Sequence, residues 1–132
     1  MFPRLGFDCP YEYSYNPTPM KPVRFVGSAK DDLSAFPKSA RTRAGHELFM
    51  VQAGRNPDDW KPMPTVGSGA CEIRVRDEAG AFRVIYVAKF EDAVYVLHSF
   101  RKKTRKTFHA DLELARERYR TARGLAEGAN RD

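Results

Sequence analysis

Apolar and polar residues alternate with a period of two in the middle of the chain, and helical spacings flank that region on both sides. Cys71, Ile73 and Val75 interleave with Glu72, Arg74 and Arg76, which predicts a strand with one core face and one polar face. Asp77-Glu78-Ala79-Gly80 reads as a hairpin turn. Phe82 to Phe90 is a long apolar strand that carries Arg83 and Lys89, and Glu91-Asp92 makes the next turn. Ala93 to Phe100 is the last strand. Its run Val94-Tyr95-Val96-Leu97 has no polar side, which predicts a central strand buried on both faces.

Upstream, Val23-Arg24-Phe25-Val26 reads as a short strand ended by Gly27. Ser28 and Asp31 approximate a capping box for a short helix with Leu33 and Phe36 on its apolar face. Pro37 fits the first turn of a second helix, expected from about Pro37 to Ala53. Ala40, Ala44, Leu48 and Val51 mark its buried side, and Gly54 stops it. Residues 55–70 are expected to be irregular, because Asn56-Pro57, Lys61-Pro62, Met63-Pro64 and Gly67-Ser68-Gly69 break regular structure, with Trp60 anchoring the loop. After the last strand comes a basic run, Arg101 to Lys106. A final helix is expected over Ala110–Arg123, with Leu112, Ala115 and Tyr119 on one side and Gly124 at its end. Residues 1–20 lack periodicity and are expected to be a disordered or misassigned extension, with Met20 as the natural start. The domain then spans 21–124 and a flexible tail 125–132. The order β-α-α-β-β-β-α makes this a small α+β fold.

The length of 132 residues suits a single domain, and the 42% hydrophobic content suffices for a core. No apolar run approaches the roughly 20 residues that span a bilayer. Met1 to Tyr15 has no secretory pattern, so the expectation is a cytoplasmic protein without membrane association. Cys9 and Cys71 form no CxxC pattern, and His46, His98 and His109 are scattered. Neither a disulfide framework nor a metal site is implied, and no cofactor motif is present.

The net charge of +6 favours anionic partners, and its distribution narrows the choice. Arg74 and Arg76 share the polar face of one strand, Arg83 begins the neighbouring strand across the hairpin, and Lys102 and Lys103 emerge at the end of the last strand. If the sheet pairs in that order, three elements deliver cations to one region, a surface that attracts phosphates through counterion release. An ordinary solvated strand face would carry Arg74 and Arg76 equally well, and the run 101–106 could be a solvated approach to the helix. Arg83 is the less ordinary residue, because a cation beside Ile85 and Val87 needs a partner. His98, Tyr86 and Tyr95 read as core residues, and His46 and His109 as surface. Asp58, Asp59 and Glu72 form no persuasive carboxylate pair.

The segments Gly69-Ala70-Cys71-Glu72-Ile73-Arg74-Val75-Arg76, Phe82-Arg83-Val84-Ile85-Tyr86 and Val96-Leu97-His98-Ser99-Phe100-Arg101-Lys102-Lys103-Thr104-Arg105-Lys106-Thr107 are the ones that carry a likeness. With Leu33-Ser34-Ala35-Phe36-Pro37 and Gln52-Ala53-Gly54, they resemble the HigB branch of the RelE/ParE toxin superfamily, including its phage-derived members. The resemblance covers about Lys21 to Arg123. It implies a RelE-like α+β fold with a twisted four-stranded sheet. It also implies the toxin of a type II toxin–antitoxin system, a metal-free endoribonuclease that cuts mRNA on the ribosome. Arg74 and Arg83 would then face the scissile phosphate, and Lys102 or Lys103 would act as further cations or proton carriers. His109 is an outside candidate for acid or base, next to Phe108 where relatives often have proline. Arg76, Lys89, Arg101, Arg105 and Lys106 would bind RNA. Glu72 departs from relatives with a basic residue there, which would weaken phosphate binding. The implied partner is a HigA-like helix-turn-helix antitoxin, through which alone the toxin would reach operator DNA. The same superfamily offers a ParE-like gyrase inhibitor, and a phage-derived binding module without activity is the other alternative.

Overall fold

A computed structural model describes residues 20–103 and 105–130. The expected N-terminal extension, Met20 excepted, and the last two residues of the expected tail lie outside the described residues. The elements run β1 (Val23–Phe25), α1 (Ala29–Ser34), α2 (Lys38–Gln52), β2 (Trp60–Pro62), β3 (Ala70–Asp77), β4 (Gly80–Val87), β5 (Val94–Arg101) and α3 (Arg105–Asn130). The class is α+β as expected, but the sheet has five strands, in the order β1-β5-β4-β3-β2. The extra strand is β2, in the stretch expected to be irregular. It pairs antiparallel with β3 through Trp60↔Ile73 and Pro62↔Cys71 at the sheet edge, where a proline costs no ladder hydrogen bond.

Alternation along β3 and β4 sorts side chains between two cores. Ile73, Val75, Phe82, Val84 and Tyr86 pack with Leu33, Phe36, Ala40, Ala44, Leu48 and Val51 of the α1–α2 layer. Ile85, Val87, Tyr95, Leu97 and Phe100 pack with Ala115, Tyr119, Ala122 and Ala126 of α3 on the other side. Val94 to Leu97 are fully buried, so β5 is the two-sided central strand its sequence predicts. β1 lies parallel to β5, with Val23↔Val94 and Phe25↔Val96.

Local chemistry fixes the boundaries. Asp77 and Gly80 pair across the β3–β4 turn, where Asp77 Oδ1 accepts from the Ala79 amide at 2.8 Å and Gly80 takes φ +139°. Gly54 ends α2 with φ +84°. The capping box is not formed: the Ser28 hydroxyl donates to Asp32 at 2.8 Å and caps no backbone amide. The final helix starts at Arg105 rather than Ala110 and continues through Gly124 to Asn130. Burial of Ala122 and Ala126 against the sheet outweighs the modest helix cost of Gly124 and Gly128, about 1 kcal/mol each.

Candidate functional site

α3 lies across β5 and leaves the outer part of the same sheet face, on β3 and β4, without a helix above it. The residues that point there are fixed by register. Arg74 sits opposite Arg83, Glu72 opposite Ile85, and Arg83 opposite Phe100 of β5. Directly paired residues share a face, so Glu72, Arg74, Arg76, Arg83, Phe100 and His98 all project to the α3 side.

Arg83 is the buried cation at the centre, with only 6% of its surface exposed. Its partner is Glu72, itself 1% exposed, whose Oε1 lies 3.6 Å from Arg83 Nε and 3.6 Å from Arg74 Nε. The second oxygen, Oε2, is buried without a hydrogen-bond partner. Arg74 is half-buried and also reaches Asp59 Oδ1 at 3.9 Å. Burial pulls the Arg83 guanidinium below the usual arginine range, and the neighbouring Glu72 carboxylate opposes that shift. The expectation that a cation beside buried residues needs a partner is met by Glu72. That residue therefore neutralises charge from within the cluster.

Next to this cluster, Arg76, Arg83, Lys102 and Lys103 line a concavity of about 450 Å3 with Gly80, Ala81 and one carboxylate, Asp77, whose oxygens accept from Ser39 and the Ala79 amide. The Lys102 amide donates to Ala81 O at 2.9 Å, which extends the β4–β5 ladder one residue past the strand and sets the direction of the basic run. Lys102 Nζ stands 5.4 Å from the centre of the Phe108 ring on α3. Arg76, Lys102 and Lys103 are exposed. Such a groove can hold a phosphodiester, with one buried and three solvated cations around it.

Other expected residues go elsewhere. Lys89 lies beyond the far end of β4, packed over Phe90 at 5.5 Å and against Gly69. Arg101 points to the opposite sheet face, where its guanidinium donates to Ala79 O and covers the Phe82 ring at 5.6 Å. It braces the β3–β4 hairpin. His109 is exposed on the first turns of α3. The side chains of Arg105 and Lys106 lie outside the described residues.

Sequence reasoning missed the pairing of His98. Its Nε2 is 2.7 Å from Asp111 Oδ1 of α3, with the two side chains 7% and 15% exposed. The ring stacks on Phe100 at 4.9 Å and 19°. His98 is a core histidine as expected, but Asp111 lies 13 residues away and nothing in the local pattern joins them. Among the described residues no cluster of His, Cys, Asp and Glu could hold a metal ion. No helix of the described residues is long and apolar enough to cross a membrane.

A family profile for phage derived protein Gp49-like (DUF891) matches residues 31–120, well over half of the chain. The chain belongs to the Gp49-like family. This is a phage-derived family of RelE-toxin type, and its matched region spans α1 to most of α3, including every member of the groove. No curated protein matches the chain. Membership brings with it the general character of a toxin–antitoxin toxin and of an antitoxin as partner.

Proposed function

We propose that this Gp49-like protein is a HigB-like toxin that cleaves mRNA without a metal ion, on the ribosome, and is silenced by a HigA-like antitoxin. The observation that carries this reading is the convergence of Arg76, Arg83, Lys102 and Lys103 on one groove, with Arg74 beside it.

In the reaction, the 2′-hydroxyl oxygen of one nucleotide attacks the adjacent phosphorus and loses its proton. The phosphorus–5′-oxygen bond breaks, leaving a 2′,3′-cyclic phosphate, and the departing oxygen takes up a proton. Negative charge grows on the phosphoryl oxygens in the transition state. Preorganised cations facing those oxygens lower the barrier, and removing one such donor typically costs about 100-fold or more in rate. Arg83 suits this task, because its burial and its Glu72 partner hold the guanidinium in place before substrate arrives. Arg74, directly across the β3–β4 pair, would add a second cation beside the groove. Lys102 and Lys103, exposed at the strand end, can follow the leaving oxygen and supply its proton. His109 stays a candidate for the second proton transfer, from the first turns of α3.

Induced expression of the chain in a bacterial host, beside a Lys102→Ala/Lys103→Ala variant, tests this. Growth and primer extension on a reporter mRNA are followed together. Arrest with new cuts in coding sequence, both lost in the variant, is the expected result. Arrest with intact mRNA moves the target to gyrase, and no arrest from folded protein removes the ribonuclease reading.

A further inference from the structure

We propose that the buried His98–Asp111 pair is a latch that fixes the first turns of α3 and, through a chain of rings, the position of Lys102. His98 is thereby a positioning residue for the reaction proposed above, on which the catalytic half of this inference rests.

The two halves of α3 are held differently. From Ala115 onward the helix buries Ala115, Tyr119, Ala122 and Ala126. Four hydrogen bonds also tie that half down: Arg116 Nε to Thr65 O at 2.7 Å, Arg118 Nη1 to Leu97 O at 3.1 Å, Arg118 Nη2 to Ser28 Oγ at 3.0 Å, and Tyr119 Oη to Ser68 O at 2.6 Å. The stretch Phe108–Leu112 has no fully buried residue: Phe108, Asp111 and Leu112 are half-buried, and His109 and Ala110 are exposed. Among the described residues, the polar tie of this stretch to the sheet is the contact between Asp111 Oδ1 and His98 Nε2.

That tie continues into the groove. His98 stacks on Phe100, the Phe100 and Phe108 rings lie 6.0 Å apart, and Lys102 Nζ stands over Phe108 at 5.4 Å. Phe108 and Asp111 are three residues apart, so they share one face of α3. Phe100 faces Arg83 across the β4–β5 pair. Asp111, His98, Phe100, Phe108 and Lys102 thus form one contact path that ends among the cations of the groove. His98 Nδ1 and Asp111 Oδ2 are buried without partners, so the two side chains are held to each other by one hydrogen bond in dry surroundings. Such a bond is expensive to leave half-made, which makes the latch firm and its loss local.

The variants are Asp111→Ala, which removes the tie, Asp111→Asn, which keeps a hydrogen-bonding group at the same place, and His98→Gln, which keeps a donor but removes the ring. Amide hydrogen exchange reads the helix, thermal melting reads the fold, and single-turnover cleavage of mRNA on programmed ribosomes reads the reaction. Asp111→Ala is expected to speed exchange at His109 to Leu112 and leave Ala115 to Ala126 protected. Displacement of reacting groups by about 1 Å costs on the order of 100-fold in rate, so the maximal cleavage rate should fall by about that factor. The half-saturating mRNA concentration should stay within about threefold, because Arg76 and Lys103 still bind the chain. Asp111→Asn should recover most of the rate. His98→Gln should keep the exchange protection but lose rate, since the stack on Phe100 is gone. Exchange at His109 to Leu112 unchanged in Asp111→Ala overturns the latch. Released turns with cleavage within twofold of the parent overturn the positioning role. If the parent protein cleaves no mRNA, the ribonuclease reading fails by itself, and the exchange comparison still decides whether the latch exists.

Discussion

Replacing Glu72 with glutamine should destabilise this protein and, under the proposed function, tighten its binding of RNA. The side chain keeps its shape and loses its charge, so the change isolates one electrostatic effect. Glu72 Oε1 lies 3.6 Å from the Nε atoms of both Arg83 and Arg74. At an effective dielectric of ~20, a pair at that distance attracts by about 5 kcal/mol. Most of this is offset by taking the carboxylate out of water, but Arg83 stays buried in the variant and loses its counter-charge. Breaking a buried pair from one side costs about 3–5 kcal/mol when its geometry is good. Here the contacts exceed hydrogen-bond length and Glu72 Oε2 has no partner, so about 2–3 kcal/mol is expected. For a domain of this size that corresponds to a melting temperature lower by about 8–12 °C. The freed charge should act on phosphate. One screened charge contact of about 1 kcal/mol gives on the order of fivefold tighter binding. The slope of log affinity against log salt should steepen by about 0.7, the value for one more neutralised phosphate on a single strand. Thermal melting and fluorescence titration of a labelled single-stranded RNA at four salt concentrations measure both quantities. A variant that melts within about 2 °C of the parent and keeps its salt slope would refute the claim that Glu72 restrains Arg83.

Four further outcomes are expected. Arg83→Ala should lower cleavage by about 100-fold or more and also lower the melting temperature by leaving Glu72 without its buried partner; adding Glu72→Gln should restore the melt but not the cleavage, as read by calorimetry and primer extension. Lys89→Ala should leave RNA affinity within about twofold in the same titration, because Lys89 lies past the far end of β4, about 20 Å along the chain from Arg83. Arg101→Ala should cost about 1 kcal/mol in urea unfolding, through the lost hydrogen bond to Ala79 O and the uncovered Phe82 ring. At alkaline pH, burial and the Asp92 carboxylate, 2.5 Å away, push the Tyr95 hydroxyl up to about 12. The native state then keeps a proton that the unfolded chain releases near pH ~10, so stability should fall between about pH 10 and 12, by at most about 1.4 kcal/mol per pH unit, seen as a shift in the urea midpoint.

What could be read from the sequence followed from periodicity over several residues. Cys71, Ile73 and Val75 against Glu72, Arg74 and Arg76 defined the two faces of β3, and the apolar run Val94 to Leu97 marked the central strand. The positions that escaped were decided by other means. β2 has only three residues and ends in Pro62, too short for any period, and it exists because the free edge of β3 offers it hydrogen bonds. Arg101 looked like part of the basic run, but its parity in β5 sends it to the α1–α2 side opposite Phe82. A register irregularity between Ile85 and Tyr86 separates the pairing of Tyr86 with Val96 from that of Ile85 with His98, and this leaves no signature in composition. His98 and Asp111, like Glu72 and Arg83, are partners that only the folded sheet brings together.

The placement of Glu72 follows from a conflict that any cationic groove on a sheet must resolve. Arg74 and Arg83 stand directly opposite each other on neighbouring strands, where like charges repel, and Arg83 is nearly dry. Two bare guanidinium groups there would oppose folding more strongly the better they were preorganised for phosphate. A buried carboxylate between them relieves that opposition, at the cost of attraction for the phosphates of the proposed RNA substrate. The groove recovers its attraction at the rim, where Arg76, Lys102 and Lys103 are exposed and their charges are tolerated by water. On this argument the buried pair supplies rigidity and the rim supplies affinity. Neutralising Lys102 and Lys103 should therefore weaken RNA binding with little change in melting temperature, whereas changes at Glu72 or Arg83 should move both.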